Sequence, residues 1–341
     1  MDVQIVSVDG LSDDPAEQRR FEQWNAVRTE SGRSVFGDQH TGWSVDELRE
    51  RRRGTQYTFT DLAAIARDRV VGMVSLAEPQ HDNPELSLLM LAVHPDARRV
   101  GVGSRLLAEV EDVIAAHARR TILVETEWAA DGCDDGGLHF AAPHGYRNAQ
   151  TLIRSGMPLP AERARLTAWA QGSGRADAGD FAIEASWDGI SEAWLEDRAI
   201  LQTRMSTDAP LDDVEYAEES WDAERVREEV GWALKAGRRL VEVVARDRST
   251  NRLVGFTRIE VSTESPEVGY QQDTLVLKEA RGHGLGLRMK ACAAVEVMDR
   301  LPQVRVVRTW NADSNEHMLA VNRQLGYEVE GYQREWQKRL D

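Results

Sequence analysis

The feature that most constrains this chain is that it repeats itself. RRVGVG (98–103) and RGHGLG (281–286) each follow an apolar run, LAV and TLV, and each precede a helix-like pattern. Gly101 and Gly284 stand 183 residues apart (284 − 101). TILVETEW and VRVVRTWN hold Thr126 and Thr309 at the same 183 (309 − 126), and HGYR and LGYE hold Gly145 and Gly326 at 181 (326 − 145). QIVSV near the start and the later FAIEASW lie a similar distance apart. Four landmarks in one order at one offset indicate duplication. A chain of 341 residues, 41% hydrophobic, also favours two cores over one. The expected division is residues 1–157, a linker at 158–179 with prolines, glycines and a short amphipathic run, and residues 180–341.

Each half reads as a strand, one or two helices, three successive strands, the glycine loop with its helix, a strand, a helix and a last strand. In the first half the three strands are YTFTDLAAIARD, VVGMVSLA and ELSLLMLAV; in the second, RLVEVVARD, RLVGFTRIEV and EVGYQQDTLV. Runs of strands broken by single helices predict an α/β (α+β) class, with a mixed, mostly antiparallel sheet flanked by helices in each half.

Charge and cysteine content narrow the partners. The net charge of −16 opposes a polyanion such as nucleic acid and suits an amine-bearing partner. No apolar run approaches the ~20 residues that cross a bilayer, so no membrane partner is expected. Two cysteines, Cys133 and Cys292, make no disulfide framework, and MDVQIVSVDG alternates like a strand rather than a leader, so a cytoplasmic location is expected. The eight histidines show no metal-ligand spacing, and no metal is expected.

The loops carry the chemistry. Glycine admits positive φ and close backbone approach, so several N–H groups can converge on one anion at the start of a helix. Neither loop ends in the Lys-Ser/Thr of a nucleoside-triphosphate loop. Neither has the third glycine of a dinucleotide loop; Leu106 and Leu287 stand there. What remains is Arg-x-x-Gly-x-Gly: Arg98, Gly101, Gly103 and Arg281, Gly284, Gly286.

This spacing resembles the acyl-coenzyme A loop of the GNAT superfamily of N-acetyltransferases. LAVHPDARRVGVGSRLL, TLVLKEARGHGLGLRMK and NEHMLAVNRQLGY extend the likeness over both halves. Two-domain members, mycothiol synthase among them, have a similar architecture, a likeness that carries no substrate. The resemblance implies acetyl-CoA or another acyl-CoA as cofactor. In the first half it would lie along Leu91, Ala92 and Val93 and in the loop Arg98, Arg99, Val100, Gly101, Val102, Gly103 and Ser104. In the second it would use Thr274, Leu275 and Val276, the loop Arg281, Gly282, His283, Gly284, Leu285, Gly286 and Leu287, and Asn315.

The implied reaction is transfer to a small-molecule amine within a ternary complex, by a monomer (an internal pseudo-dimer) or a homodimer. The chain departs from the family where many members carry a tyrosine four residues before the last-motif glycine: here stand Ala141 and Asn322, and Asp134 replaces the first-half counterpart of Asn315. An ammonium must lose a proton before it can attack a thioester. Carboxylates are the available bases: Asp273 beside Thr274 in the second half, favoured as the catalytic one, and Glu127, which shares a strand face with Glu125, in the first. The alternative is a non-catalytic acyl-CoA-binding or regulatory protein with a degenerate site.

Overall fold

The computed structural model describes residues 2–40 and 42–340. Its elements run β1 (Gln4–Ser7), α1 (Pro15–Phe36), α2 (Val45–Arg53), β2 (Tyr57–Ala66), β3 (Arg69–Pro79), β4 (Leu86–Val93), α3 (Val102–Ala116), β5 (Thr121–Ala129) and β6 (Arg147–Pro158). There follow α4 (Arg163–Ala170), β7 (Phe181–Trp187), α5 (Leu195–Asp208), α6 (Ala223–Lys235), β8 (Arg238–Asp247), β9 (Leu253–Ser262) and β10 (Val268–Val276). The chain ends with α7 (Leu285–Arg300), β11 (Val306–Ala312), α8 (Glu316–Leu325) and β12 (Glu328–Arg339).

The chain forms two compact units, but not by a single cut. Unit 1 is Met1–Thr151 with Asp212–Tyr216 and Gly331–Asp341; unit 2 is Leu152–Leu211 with Ala217–Glu330. The last strand of each sequence repeat has gone to the other unit. Strand β12 runs antiparallel to β5, from Gly331↔Ala129 to Arg339↔Thr121, and its buried Trp336 donates Nε1–H to Thr126 Oγ1 at 2.8 Å. Strand β6 pairs β11 from Leu152↔Ala312 to Pro158↔Val306, and Met157 lies in the unit 2 core. The apolar residues of each exchanged strand hold it in the core that receives it.

Each unit carries a sheet of the expected mixed, mostly antiparallel kind. In unit 1 the strand order is β1-β2-β3-β4-β5-β12, and in unit 2 it is β7-β8-β9-β10-β11-β6. Among these pairs only β4·β5 and β10·β11 are parallel. Period-two alternation covers both faces: Leu62, Ala64, Val74 and Leu76 pack with α3, while Ala63 and Met73 pack with α1. Helix α3 buries Val102, Leu106, Val110 and Ile114 at four-residue spacing. Truncating fully buried Leu106 to alanine would cost about 2–5 kcal/mol.

Local signals set the ends of these helices. Asp14 caps α1, and Pro15 in its first turn needs no hydrogen-bond acceptor there. Ser44 and Glu47 close a capping box on α2. One expected helix differs between repeats: α8 spans ten residues, whereas Gly137–Ala141 and Ala142–His144 form only short helical turns. Gly136, Gly137 and Pro143 explain the shortening. Within the linker, the short amphipathic run forms α4, which buries Leu166 in the unit 2 core. No helix among the described residues is long and apolar enough to cross a membrane.

Candidate active site

In unit 1 the parallel ladder between β4 and β5 runs from Leu86↔Thr121 only to Leu89↔Val124. Both strands continue, β4 to Val93 and β5 to Ala129. Beyond the ladder, Leu91, Ala92 and Val93 still pair with β3, and Glu125 to Ala129 with β12. The two strands therefore part, and a wedge opens whose inner edges are strand backbone able to receive an extended ligand. Unit 2 repeats the device. The β10·β11 ladder covers Val268↔Val306 to Tyr270↔Arg308, a bulge interrupts β10 between Gln271 and Thr274, and Thr274, Leu275 and Val276 keep partners on β9 alone.

The glycine loops stand at the mouths of these wedges with matching backbones. Arg98 Nε donates to the Val93 carbonyl at 3.1 Å, and Arg281 Nε to the Val276 carbonyl at 3.1 Å. Gly101 (φ 88°) and Gly284 (φ 67°) are the left-handed N-caps of α3 and α7, and no side chain caps either helix. The first N–H groups of each helix, including those of Gly103, Ser104, Gly286 and Leu287, are thus donors at a partly positive helix end.

What covers the loops differs. Around Gly101 the space for a side chain is empty within 4 Å. Arg98 is held by the Ser31 and Ser34 hydroxyls, each at 3.0 Å, and Ser104 by His144 Nε2 at 3.1 Å. In unit 2, Arg175 lies over Gly284, where a Cβ would meet its guanidinium at 3.2 Å, and donates to the Gly282 carbonyl at 3.1 Å. Asp177 Oδ2 sits 2.7 Å from His283 Nδ1, and the Arg175 guanidinium and the His283 ring hold its carboxyl far below the usual carboxylate range. His283 is thus already engaged by a carboxylate. Asp208 approaches Lys278 at 3.2 Å and Arg281 at 3.8 Å.

Beside the unit 1 wedge lies a cavity of about 220 Å³. Leu88, Leu89, Met90, Leu123, Val124 and Glu125 bring the end of the ladder to its wall, and Trp24, Trp43 and Phe59 give it aromatic faces. Arg52 is spent on Asp61, in two hydrogen bonds of 2.6 and 2.7 Å. Arg28 and Arg51 also line the space, with Arg51 stacked over Trp43 and Phe59. Glu125 and Glu335 face each other as direct cross-strand partners. Glu125 is exposed by surface area and lines the cavity. The protein shell, then Glu335 and Glu127, push its carboxyl up to about 8 against Arg51 and Arg28. Burial, then Asp212, likewise raises Glu335.

The matching region of unit 2 is filled by charge. Glu242 binds both Arg198 and Arg258, Arg258 also meets Glu229 at 3.4 Å, and Arg238 meets Glu260 at 2.9 Å. Arg198, Glu242 and Arg258 are all buried.

The other sequence candidates fall as follows. Asp273 is half-buried, accepts from Gln202 Nε2 at 2.9 Å, and adjoins Thr274, whose hydroxyl meets Thr257 Oγ1 at 2.6 Å. Glu127 lies two residues beyond Glu125, is exposed, and is not among the cavity-lining residues. Asn315 caps α8 through the Met318 N–H, and Asp134 likewise accepts from the Gly137 N–H and binds Arg334. Asn322 accepts from Lys290 Nζ at 2.6 Å and donates to Asn311 Oδ1 at 2.7 Å; burial lowers Lys290 to about 7. Among the described residues no group of three or more His, Cys, Asp or Glu could hold a metal ion. Sequence reasoning missed Glu335, Arg28 and Arg51, whose helices and strand give no local sign of converging, and the covering pair Arg175 and Asp177.

The comparisons with known proteins agree with this geometry. Residues 21–133 match the acetyltransferase (GNAT) family. A tandem GNAT protein from the clavulanic acid biosynthesis pathway superposes with a TM-score of 0.80 at 21% identity, covering 99% of this chain and 98% of that one. A GCN5-related N-acetyltransferase from Sphaerobacter thermophilus gives 0.64 at 16% identity, covering 98% and 95%. No curated protein sequence matches the chain. The parted strands and the uncapped helix behind the glycine loop thus accompany a match of residues 21–133 to the acetyltransferase (GNAT) family, and the chain as a whole shares the fold of a tandem GNAT protein.

Proposed function

We propose that the chain is an acetyl-CoA-dependent N-acetyltransferase acting on a small-molecule amine in a ternary complex, with its chemistry in unit 1. The observation that carries this reading is that the wedge beyond Leu89↔Val124, the uncovered loop at Gly101 and the Glu125 cavity meet in one unit. The residues present fit the cofactor: the uncapped N–H groups of Val102, Gly103 and Ser104 with Arg98 and Arg99 suit a pyrophosphate, and the free edge at Leu91, Ala92 and Val93 suits an extended amide chain. Bound there, acetyl-CoA supplies an acyl group activated as a thioester.

Glu125 is the group placed to take the proton of the acceptor's ammonium, because its raised pKa brings it near neutrality, where a general base works best. Cavity walls of Trp24, Trp43 and Phe59 position the acceptor and exclude water. Asp273 remains the candidate base of unit 2, and Glu127 a second one in unit 1. A non-catalytic role has a specific observation in its favour only in unit 2, where Arg175 and Asp177 cover the loop. Mixing the protein with acetyl-CoA and a panel of small amines tests the reading. Free thiol released in step with N-acetylated product supports it; acetyl-CoA binding without release across the panel contradicts it. The proposed setting is the cytoplasm, without nucleic-acid or membrane partners.

A further inference from the structure

Unit 1 has a side-chain contact at the head of α3 that unit 2 lacks. His144 Nδ1 lies 2.8 Å from the Phe140 carbonyl, and its Nε2 lies 3.1 Å from Ser104 Oγ in the first turn of the helix. A carbonyl only accepts, so the ring hydrogen sits on Nδ1 and the neutral ring offers a lone pair at Nε2. The Ser104 hydroxyl therefore donates to His144. The Phe140 ring lies 4.5 Å from the His144 ring, centroid to centroid, and also closes on Gly103, where a Cβ would meet it at 3.0 Å. A carbonyl, an aromatic ring and a hydroxyl thus fix the imidazole from three sides.

The corresponding positions of unit 2 cannot make this contact. At the repeat offsets Ser104 corresponds to Leu287 (104 + 183), Phe140 to Val321 (140 + 181) and His144 to Leu325 (144 + 181), and Leu325 is buried in the unit 2 core. The charged groups of the elements around the His144 ring are engaged. On α3, Glu111 takes the Tyr146 hydroxyl at 3.0 Å and Lys338 of β12 at 2.7 Å, and Arg105 reaches Asp2 at 3.9 Å. On the turn before the ring, His139 approaches Asp135 at 3.6 Å, and in the loop Arg98 is held by the Val93 carbonyl, Ser31 and Ser34. Arg98 and Arg99 keep their charge throughout the neutral range.

With its hydrogen spent on Nε2, the Ser104 oxygen has only lone pairs left for anything else that reaches it, and these oppose an anion. A proton on His144 reverses the bond: Nε2–H donates to Oγ, and the hydroxyl hydrogen is freed. We propose that His144 is a positioning residue that turns the Ser104 hydroxyl toward the cofactor's pyrophosphate, so that acetyl-CoA binds unit 1 with uptake of a proton at His144. The proton comes from solvent; one N–H bond forms at Nε2, and no other covalent bond changes. The bonds that result are charge-assisted. By linkage, affinity for acetyl-CoA rises as pH falls through the range of about 8 to 5 in which histidine takes up its proton.

The proposal rests on cofactor binding at the first glycine loop, and calorimetry of the full chain with acetyl-CoA separates the two. Titrations at neutral pH in two buffers of different ionisation enthalpy give the protons taken up per cofactor bound. The parent is expected to take up more than His144→Gln, and its affinity should gain about tenfold on that variant's between alkaline and acidic ends of the range. The cofactor's own phosphates titrate equally with both proteins, so the difference isolates the ring. Ser104→Ala should lose the excess, Ser104→Thr should keep it, and His139→Gln should leave it unchanged. Nitrogen-detected NMR of the His144 ring in the parent needs no variant: the Nδ1–H tautomer is expected in the free chain and the imidazolium in the complex. A merely structural role would move the melting temperature and not the proton count. Equal uptake by the parent and His144→Gln, or a ring that stays neutral at saturating acetyl-CoA, overturns the proposal and leaves the cofactor reading standing. No binding of acetyl-CoA by the parent overturns both.

Discussion

The two glycine loops of this chain share a backbone and differ in what lies over them. Arg98 and Arg281 reach back to the last carbonyl of their strand at the same 3.1 Å, and Gly101 and Gly284 turn the chain into α3 and α7 through the same left-handed conformation. In the first loop the space at Gly101 is open and Gly103 faces the Phe140 ring; in the second, Gly282 and Gly286 are open while Arg175 lies over Gly284 and Asp177 meets His283. The neighbouring regions diverge in the same sense, a cavity in unit 1 against a buried arginine–glutamate network in unit 2. After duplication, the backbone geometry that folding requires has persisted in both copies. The side chains around it have not: Arg175 and Asp177 form an ion pair beside the second loop, whereas Glu125 and Glu335 line a cavity in unit 1.

The largest effect expected from this contrast is on the rate. Glu125→Gln should lower transfer by about 10²- to 10⁴-fold with acetyl-CoA affinity nearly intact, measured by thiol release under saturating cofactor. Glu125 is also a destabilising group. Because its folded pKa is raised to about 8 from 4.5, the carboxylic acid is favoured in the folded chain, and stability falls as pH rises from 4.5 toward 8. The same variant should therefore melt higher than the parent at pH 8, a gain of stability with a loss of activity. Asp273→Asn should leave the rate within about twofold; a fall of 10²-fold or more would move the chemistry to unit 2 and reverse the comparison.

A smaller effect is expected from uncovering the second loop. Replacing Arg175 and Asp177 by alanine removes the contacts to Gly282 and His283. Acetyl-CoA should then bind unit 2 about tenfold or more tighter, read by calorimetry on a Gly101→Val background that silences the first loop. No change would show that the cover is incidental and that Asp208 or the loop itself disfavours the ligand.

How much of this was legible in sequence depended on whether a residue's role is local. Gly101, Gly284 and the helices behind them could be read because a left-handed cap followed by apolar residues at four-residue spacing is written within one segment. The pairing of β12 with β5 could not, since alternation shows that a strand forms and not which edge receives it. Glu125 and Glu127 share a face by alternation, and only the end of the β4·β5 ladder at Val124 and the arrival of Glu335 distinguish them. Arg175 and Asp177 were hidden because they lie in a stretch of glycine and small residues that reads as a linker. Asp177 meets His283 across 106 residues of chain, and Arg175 meets Gly282 across 107.

The smallest effect concerns the residue under Asn322. Burial lowers Lys290 to about 7 from 10.5, so the unfolded chain holds that proton more tightly between those values. Stability should accordingly rise with pH across that window, and the destabilisation is complete below it. Lys290→Met should flatten this slope and gain most below pH 7 in denaturant titrations. An unchanged slope would assign the pH dependence to other groups.

The central claim is that unit 1 holds the cofactor and unit 2 does not, and native mass spectrometry of the intact chain with acetyl-CoA tests it by counting. One cofactor per chain is expected for the parent, none for Gly101→Val, whose β-branched side chain opposes φ 88° and fills the open space, and one for Gly284→Val. Two cofactors on the parent, or one that survives Gly101→Val and disappears with Gly284→Val, would contradict the account.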